Sequence, residues 1–197
     1  GGAIITNNKE LFDKIELLRS DGMLFSNHDN KYYGNTIGHN MSLSEIHSAI
    51  LCGQIEEFKK NQLIKESNGN YLKEILAKKG FYTKKQNSND TKTSYFKFII
   101  KLDLERFTFV TSNVIAKALS FELNTLVSPI YAPLNNNKLY QPKKYPAICF
   151  GSYYIVDPST YKLPNAALAS KTYISLHHNV LLSGKDALDG VLTALLK

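Results

Sequence analysis

The residues in this chain whose types and spacing could do chemistry lie in GHNMSLSEIHSAI, positions 38–50. Gly38 permits a close backbone approach, Asn40 carries an amide donor, and Ser42 with Glu45 has capping-box spacing at a helix start. A helix start leaves backbone N–H groups unpaired and adds the positive end of a dipole, so the arrangement suits an anion, a phosphate among others. The plainer reading is that Asn40 makes a turn ahead of a helix, and the residues alone leave both open. His177-His178 is the other conspicuous pair. Neighbours on a strand point to opposite faces, so these histidines are expected to be structural and not to share a metal. The chain has no Walker loop, HExxH, GxSxG or nucleotide-binding glycine pattern, so it names no self-sufficient catalytic site.

The elements that must position these residues follow from pattern. An apolar stretch at 3–6 reads as a strand. Asn7 stands three residues before Glu10, and Leu11, Ile15 and Leu18 then recur at helical spacing up to Gly22. Residues 23–40 show no period and read as a long loop. The capping box at Ser42 opens a helix through Leu43, Ile46 and Ile50 toward Leu76, with Gly69 and its asparagine neighbours expected to kink or interrupt it and Gly80 to stop it. Beyond a polar loop at 84–93, residues 95–102 are the clearest strand, being aromatic and β-branched. A helix at 112–121, an extended stretch at 125–131 and a proline-rich loop at 133–158 come next. Pro164 then opens a helix, 172–178 form a short strand, and Ser183 with Asp186 caps a last helix. Alternating strands and helices from Phe81 onward predict an α/β sandwich.

Length and composition set the outer limits. At 197 residues with 43% hydrophobic content, the chain can bury a sizeable core. It contains no run of roughly 20 apolar residues and no secretory leader, so neither membrane nor export is expected. Cys52 and Cys149 belong to no metal or disulfide pattern, which fits a reducing cytoplasm. The formal charge of +7 comes from scattered lysine pairs with acids nearby and almost no arginine, so solvated faces are expected in preference to nucleic-acid binding.

Two blocks then carry a resemblance. GGAIITNNKELFDKIELLRSDG followed by GHNMSLSEIHSAILCGQIEEF resembles the segment of the DegT/StrS family of PLP-dependent sugar aminotransferases that runs from a GEGG strand into a GYNYRMSEL helix. SYFKFII, SPIYAPL, LPNAALASKTY and SLHHNVLL are similar in order and spacing to that family's C-terminal domain. The ending from His178 to Leu182 is closer to the branch acting on cyclitols and aminohydroxybenzoate. The resemblance implies an α/β fold, the C-terminal part of a fold-type I PLP-dependent aminotransferase. Residues 1–80 would be the end of the large PLP domain, with its last strand, helix, active-site loop and long bridging helix, and residues 81–197 a small C-terminal α/β domain.

It also implies a cytoplasmic homodimer with shared active sites, in which Asn40 reaches the phosphate of pyridoxal 5'-phosphate bound by the neighbouring subunit. Tyr32, Tyr33, His39 and Tyr131 are the implied substrate contacts, although His39, Met41 and Ser42 replace the family's more usual Tyr, Tyr and Arg, and Asp21 stands where a histidine often does. The family's Schiff-base lysine, the acid against the pyridine nitrogen and the stacking aromatic would all fall before Gly1, so no catalytic residue and no metal ligand is assigned. The activity implied is amino transfer from glutamate or glutamine to a keto-sugar, often nucleotide-linked, or a cyclitol, with this chain alone inactive. The alternative is a non-catalytic, aminotransferase-like dimerisation or regulatory subunit.

Overall fold

The computed structural model describes residues 2–26, 30–34, 36–84, 92–103, 105–107, 110–139 and 157–197, and for 24–26 and 30–33 the backbone only. Most of the expected loops at 84–93 and 133–158 lies outside the described residues. The chain forms two compact units, Gly1–Phe58 and Lys59–Lys197.

The first unit opens with residues 2–6, which pair with no strand among the described residues and leave Ile4 and Ile5 exposed. The strand expected there has no pairing partner among the described residues, and β structure needs one for its backbone groups. Helix α1 (Lys9–Arg19) follows, capped by Asn8, whose side chain accepts from the Leu11 N–H, so the cap sits one residue later than Asn7. The stretch expected to be a loop contains a hairpin, β1 (Met23–Ser26) paired antiparallel with β2 (Asn30–Tyr33).

Helix α2 (Glu45–Ala77) begins in the first unit and ends in the second, unbroken over 33 residues. The interruption expected at Gly69 is absent, for a tertiary reason. A Cβ at Gly69 would lie 2.6 Å from Cζ of Tyr95, so the bare helix surface there is the seat of that ring. Asn68 donates from Nδ2 to the carbonyls of Leu181 (2.9 Å) and Ser183 (3.0 Å), which also accounts for a poor helix former in mid-helix. Gly80, at φ +80°, ends the following turn as expected.

The second unit is a four-stranded antiparallel sheet in the order β3-β4-β6-β5, formed by β3 (Tyr82–Thr83), β4 (Lys97–Lys101), β5 (Val127–Pro129) and β6 (Tyr173–His177). The register sets Phe98 opposite Leu176 and Ile100 opposite Ile174, with Val127 also opposite Leu176. Directly opposed residues share a face, so these side chains make one apolar surface. Leu72 and Leu76 of α2, Ile115 and Leu119 of α3 (Ser112–Glu122), and Leu188 and Val191 of α5 (Lys185–Leu196) join them in a single core. Helix α4 (Pro164–Thr172) leads into β6 with Pro164 in its first turn, as expected from the sequence. The last helix differs in its cap. Gly184 occupies the cap position without a side-chain bond, while Ser183 donates to the Asn179 carbonyl.

Candidate functional site

The conformation around Asn40 is set at the end of α1. Asp21 (φ 56°) and Gly22 (φ 78°) both take the left-handed conformation and reverse the chain, and the Gly22 N–H donates to the Leu17 carbonyl at 2.8 Å. The Gly22 carbonyl then accepts from the Gly34 N–H at 2.9 Å, which ties the base of the hairpin to the same turn. Gly38 crosses this turn so closely that a Cβ would stand 2.3 Å from the Leu17 carbonyl oxygen and 2.4 Å from the Gly22 nitrogen. Only a hydrogen fits, which is the close approach expected of that glycine.

Past Gly38 the chain runs antiparallel to the end of α1. His39 N–H donates to the Leu18 carbonyl (2.9 Å), Asp21 N–H to the His39 carbonyl (3.2 Å) and Met41 N–H to the Arg19 carbonyl (2.9 Å). Ser20 and Asn40 therefore oppose each other as a bridge pair whose own N–H and C=O groups turn away from the partner strand. Asn40 is exposed, and its amide makes no hydrogen bond among the described residues. The backbone on either side is pinned while the two amide N–H donors remain free, an arrangement suited to an acceptor-rich anion.

The helix start contributes less than its sequence suggests. Helix α2 begins at Glu45, and its first turn is capped by Ser44, whose Oγ accepts from the His47 N–H (3.4 Å) and lies 2.8 Å from His47 Nδ1. The capping residue is thus Ser44 and not Ser42. Its proximity to Glu45, together with that acid, makes Asn40 the better anion contact of the two features.

Of the other expected site residues, His39 is exposed beside Asn40. Tyr32 and Tyr33 lie at the returning end of the hairpin, opposite Leu24 and Met23, and their side chains are outside the described part. Tyr131 belongs to the second unit, just beyond β5, where it is 76% exposed with the Lys97 ammonium 5.2 Å from its ring centre. It is not a core aromatic. The hairpin and its glycine clamp were missed in the sequence. Their signal was the spacing of Gly22, Gly34 and Gly38 around two short β-prone stretches.

His177 and His178 do not face opposite ways. The chain leaves β6 at His177 and enters a 3-10 turn over residues 178–182, which brings the two rings within 4.4 Å. His177 Nδ1 accepts from the Asn179 N–H at 3.4 Å, a structural cap. His178 Nδ1 is buried without a hydrogen-bond partner among the described residues, and its pKa is held below the ordinary imidazole value by desolvation first, then by the charges of His177 and Lys65. Among the described residues no group of His, Cys, Asp or Glu could hold a metal ion, and no helix is long and apolar enough to cross a membrane.

Comparison with known proteins bears on this geometry. The model of the DegT/DnrJ/EryC1/StrS aminotransferase family matches residues 1–195. The chain is 28% identical over 203 residues to the L-glutamine:2-deoxy-scyllo-inosose aminotransferase of Streptomyces lividus, covering 98% of this chain and 48% of that protein. It is 28% identical over 206 residues to the L-glutamine:scyllo-inosose aminotransferase of Streptomyces griseus, covering 100% and 49%. Among solved structures, Helicobacter pylori PseC, an aminotransferase involved in pseudoaminic acid biosynthesis, superposes with a TM-score of 0.70 at 25% identity, covering 96% of this chain and 47% of that one. The chain thus spans about half the length of the relatives it matches.

Proposed function

Because the chain belongs to the DegT/DnrJ/EryC1/StrS aminotransferase family, we propose that it is the C-terminal portion of a PLP-dependent enzyme that moves an amino group from L-glutamine or glutamate to a ketone carbon of a cyclitol or sugar. The relatives' names support glutamine as donor and an inosose-like ketone as acceptor. Residues 1–80 would close the large domain and residues 81–197 form the small one, in a cytoplasmic homodimer with shared active sites.

The observation that carries the reading is the presentation of Asn40. Its amide is exposed, unpartnered among the described residues and mounted on a backbone pinned on both sides. A phosphate needs N–H donors, so the residue fits the phosphate of pyridoxal 5'-phosphate held by a neighbouring subunit. PLP, when bound, supplies the electron sink for amino transfer. This chain's own part is to anchor that phosphate through Asn40 and to line the substrate's approach with His39, Tyr32, Tyr33 and Tyr131. Along the first half of α2, Ile46, Ile50, Leu51, Ile55 and Phe58 are all exposed, a surface that the rest of the protein or a second subunit would cover. Apolar surface on that scale marks an interaction site.

The test is an amino-transfer assay of the complete reading frame from which this chain comes, with PLP, glutamine or glutamate, and either scyllo-inosose or a panel of keto-sugars. Amination of one acceptor is expected. Asn40→Ala should weaken PLP binding by about tenfold, the loss of one hydrogen bond to a charged group in a partly solvated site. The chain alone should transfer nothing. No amination of any acceptor by the PLP-loaded protein, or unchanged PLP affinity in the variant, would overturn the reading.

A further inference from the structure

The chain contains one Asn-Gly step, Asn68-Gly69, and it lies inside the unbroken helix α2. Such a step is chemically labile, because a residue without a side chain lets its backbone nitrogen reach the side-chain carbonyl carbon of the asparagine before it. Both residues are held here for structural reasons. A Cβ at Gly69 would meet Cζ of Tyr95 at 2.6 Å and its hydroxyl oxygen at 2.7 Å, so no side chain fits. Asn68 donates from Nδ2 to the Leu181 carbonyl (2.9 Å) and the Ser183 carbonyl (3.0 Å), which fastens the end of the 3-10 turn to α2. The packing that makes these two residues necessary therefore also places a reactive pair in the middle of a helix.

While α2 is intact, the fold restrains both reactants. The helix keeps the Gly69 nitrogen in its hydrogen-bond ladder, with the N–H directed at the carbonyl four residues back. The Asn68 amide is held away from that nitrogen by its two carbonyl partners. Opening of the helix middle releases both restraints together, since the same backbone carries them.

We propose that Asn68 is a deamidation site that reacts only when the middle of α2 opens, and that the reaction makes this opening irreversible. The Gly69 nitrogen gives up its proton to solvent and bonds to Asn68 Cγ, and ammonia leaves, which closes a succinimide ring. Water then breaks one of the two ring C–N bonds. Cleavage of the new bond leaves an aspartate, and cleavage of the original main-chain bond leaves an isoaspartate; one water is consumed and one ammonia released, with no oxidation or reduction. Neither product fits the native seat. A carboxylate only accepts hydrogen bonds, so an aspartate would set negative oxygens against the Leu181 and Ser183 carbonyls. Lys65, on the same helix, is already engaged with the Ser94 carbonyl at 3.1 Å. An isoaspartate lengthens the main chain by a methylene and breaks the helical register. Chemical change in an opened state is one route to irreversible loss of a fold. The inference is independent of the Asn40 reading and involves none of its residues.

The experiment is peptide mass mapping of the complete protein from which this chain comes, held in mildly alkaline buffer either folded or unfolded in guanidinium chloride. Conversion at position 68 should be slower in the folded sample by roughly a hundredfold, since only the opened fraction reacts. After the denaturant is removed, converted chains should be depleted from the refolded fraction. Asn68→Asp, made directly, should have a lower guanidinium midpoint than Asn68→Ala, because the first adds repulsion where the second only removes the clamp. If neither variant folds, the mapping of the parent protein still decides. The proposal is overturned by equal conversion in the two samples, by converted chains refolding as completely as unconverted ones, or by an Asn68→Asp midpoint at or above that of Asn68→Ala.

Discussion

Two asparagines and a histidine show how residue type becomes role only through neighbours. Asn40 and Asn68 carry the same amide. Asn68 spends its donors on the Leu181 and Ser183 carbonyls and is structural, while Asn40 keeps its donors free at the surface. His178 has an acid-sensitive consequence. Because its pKa is depressed in the folded state, the unfolded chain takes up a proton first as pH falls, so stability drops from the ordinary imidazole value of 6.5 downward. Melting temperature followed from pH 7.5 to pH 5 should fall in the parent chain and fall less in His178→Asn. Parallel curves for the two proteins would assign the acid sensitivity elsewhere.

At the scale of elements, the long helix is where local preference and packing conflict. Ala is a better helix former than Gly by about 1 kcal/mol. At position 69, however, the added Cβ would meet the Tyr95 ring at 2.6 Å, and overpacking of this kind costs about 1–3 kcal/mol. The packing cost wins, so Gly69→Ala should lower the urea midpoint even though it improves the helix. A raised midpoint would mean that Tyr95 moves aside at little cost. The same logic governs Gly38, where the obstacles are backbone atoms of Leu17 and Gly22 that cannot swing away.

For the whole molecule, the two units differ in how much they bury. Leu17 is the single buried hydrophobic side chain among the described residues of the first unit, whereas the second has a core running through α2, α3, α5 and its sheet. A two-stranded hairpin is marginal by itself in water. Hydrogen exchange of this chain should therefore show amides of β4 and β6 protected on the order of a hundredfold more than those of β1 and β2. Equal protection in both would mean that the first unit is stabilised independently of buried apolar surface. The exposed apolar run on α2 points the same way, toward a unit completed by surface outside this chain.

Sequence alone was enough for the second unit's alternation of strands and helices, for Pro164 and Gly80 as helix boundaries, and for Gly38 as a place of close backbone approach. These rest on period, caps and backbone freedom, which are local properties. The hairpin, the unbroken α2 and the approach of the two histidine rings could not be read that way. Each depends on packing beyond the local pattern: a hairpin base tied to the α1 turn, a ring seated on Gly69, and a chain that turns after β6. Local pattern determined which segments could form and which residues carried useful groups. Tertiary packing decided which of those groups were spent within the fold and which, Asn40 foremost, stayed unpaired among the described residues.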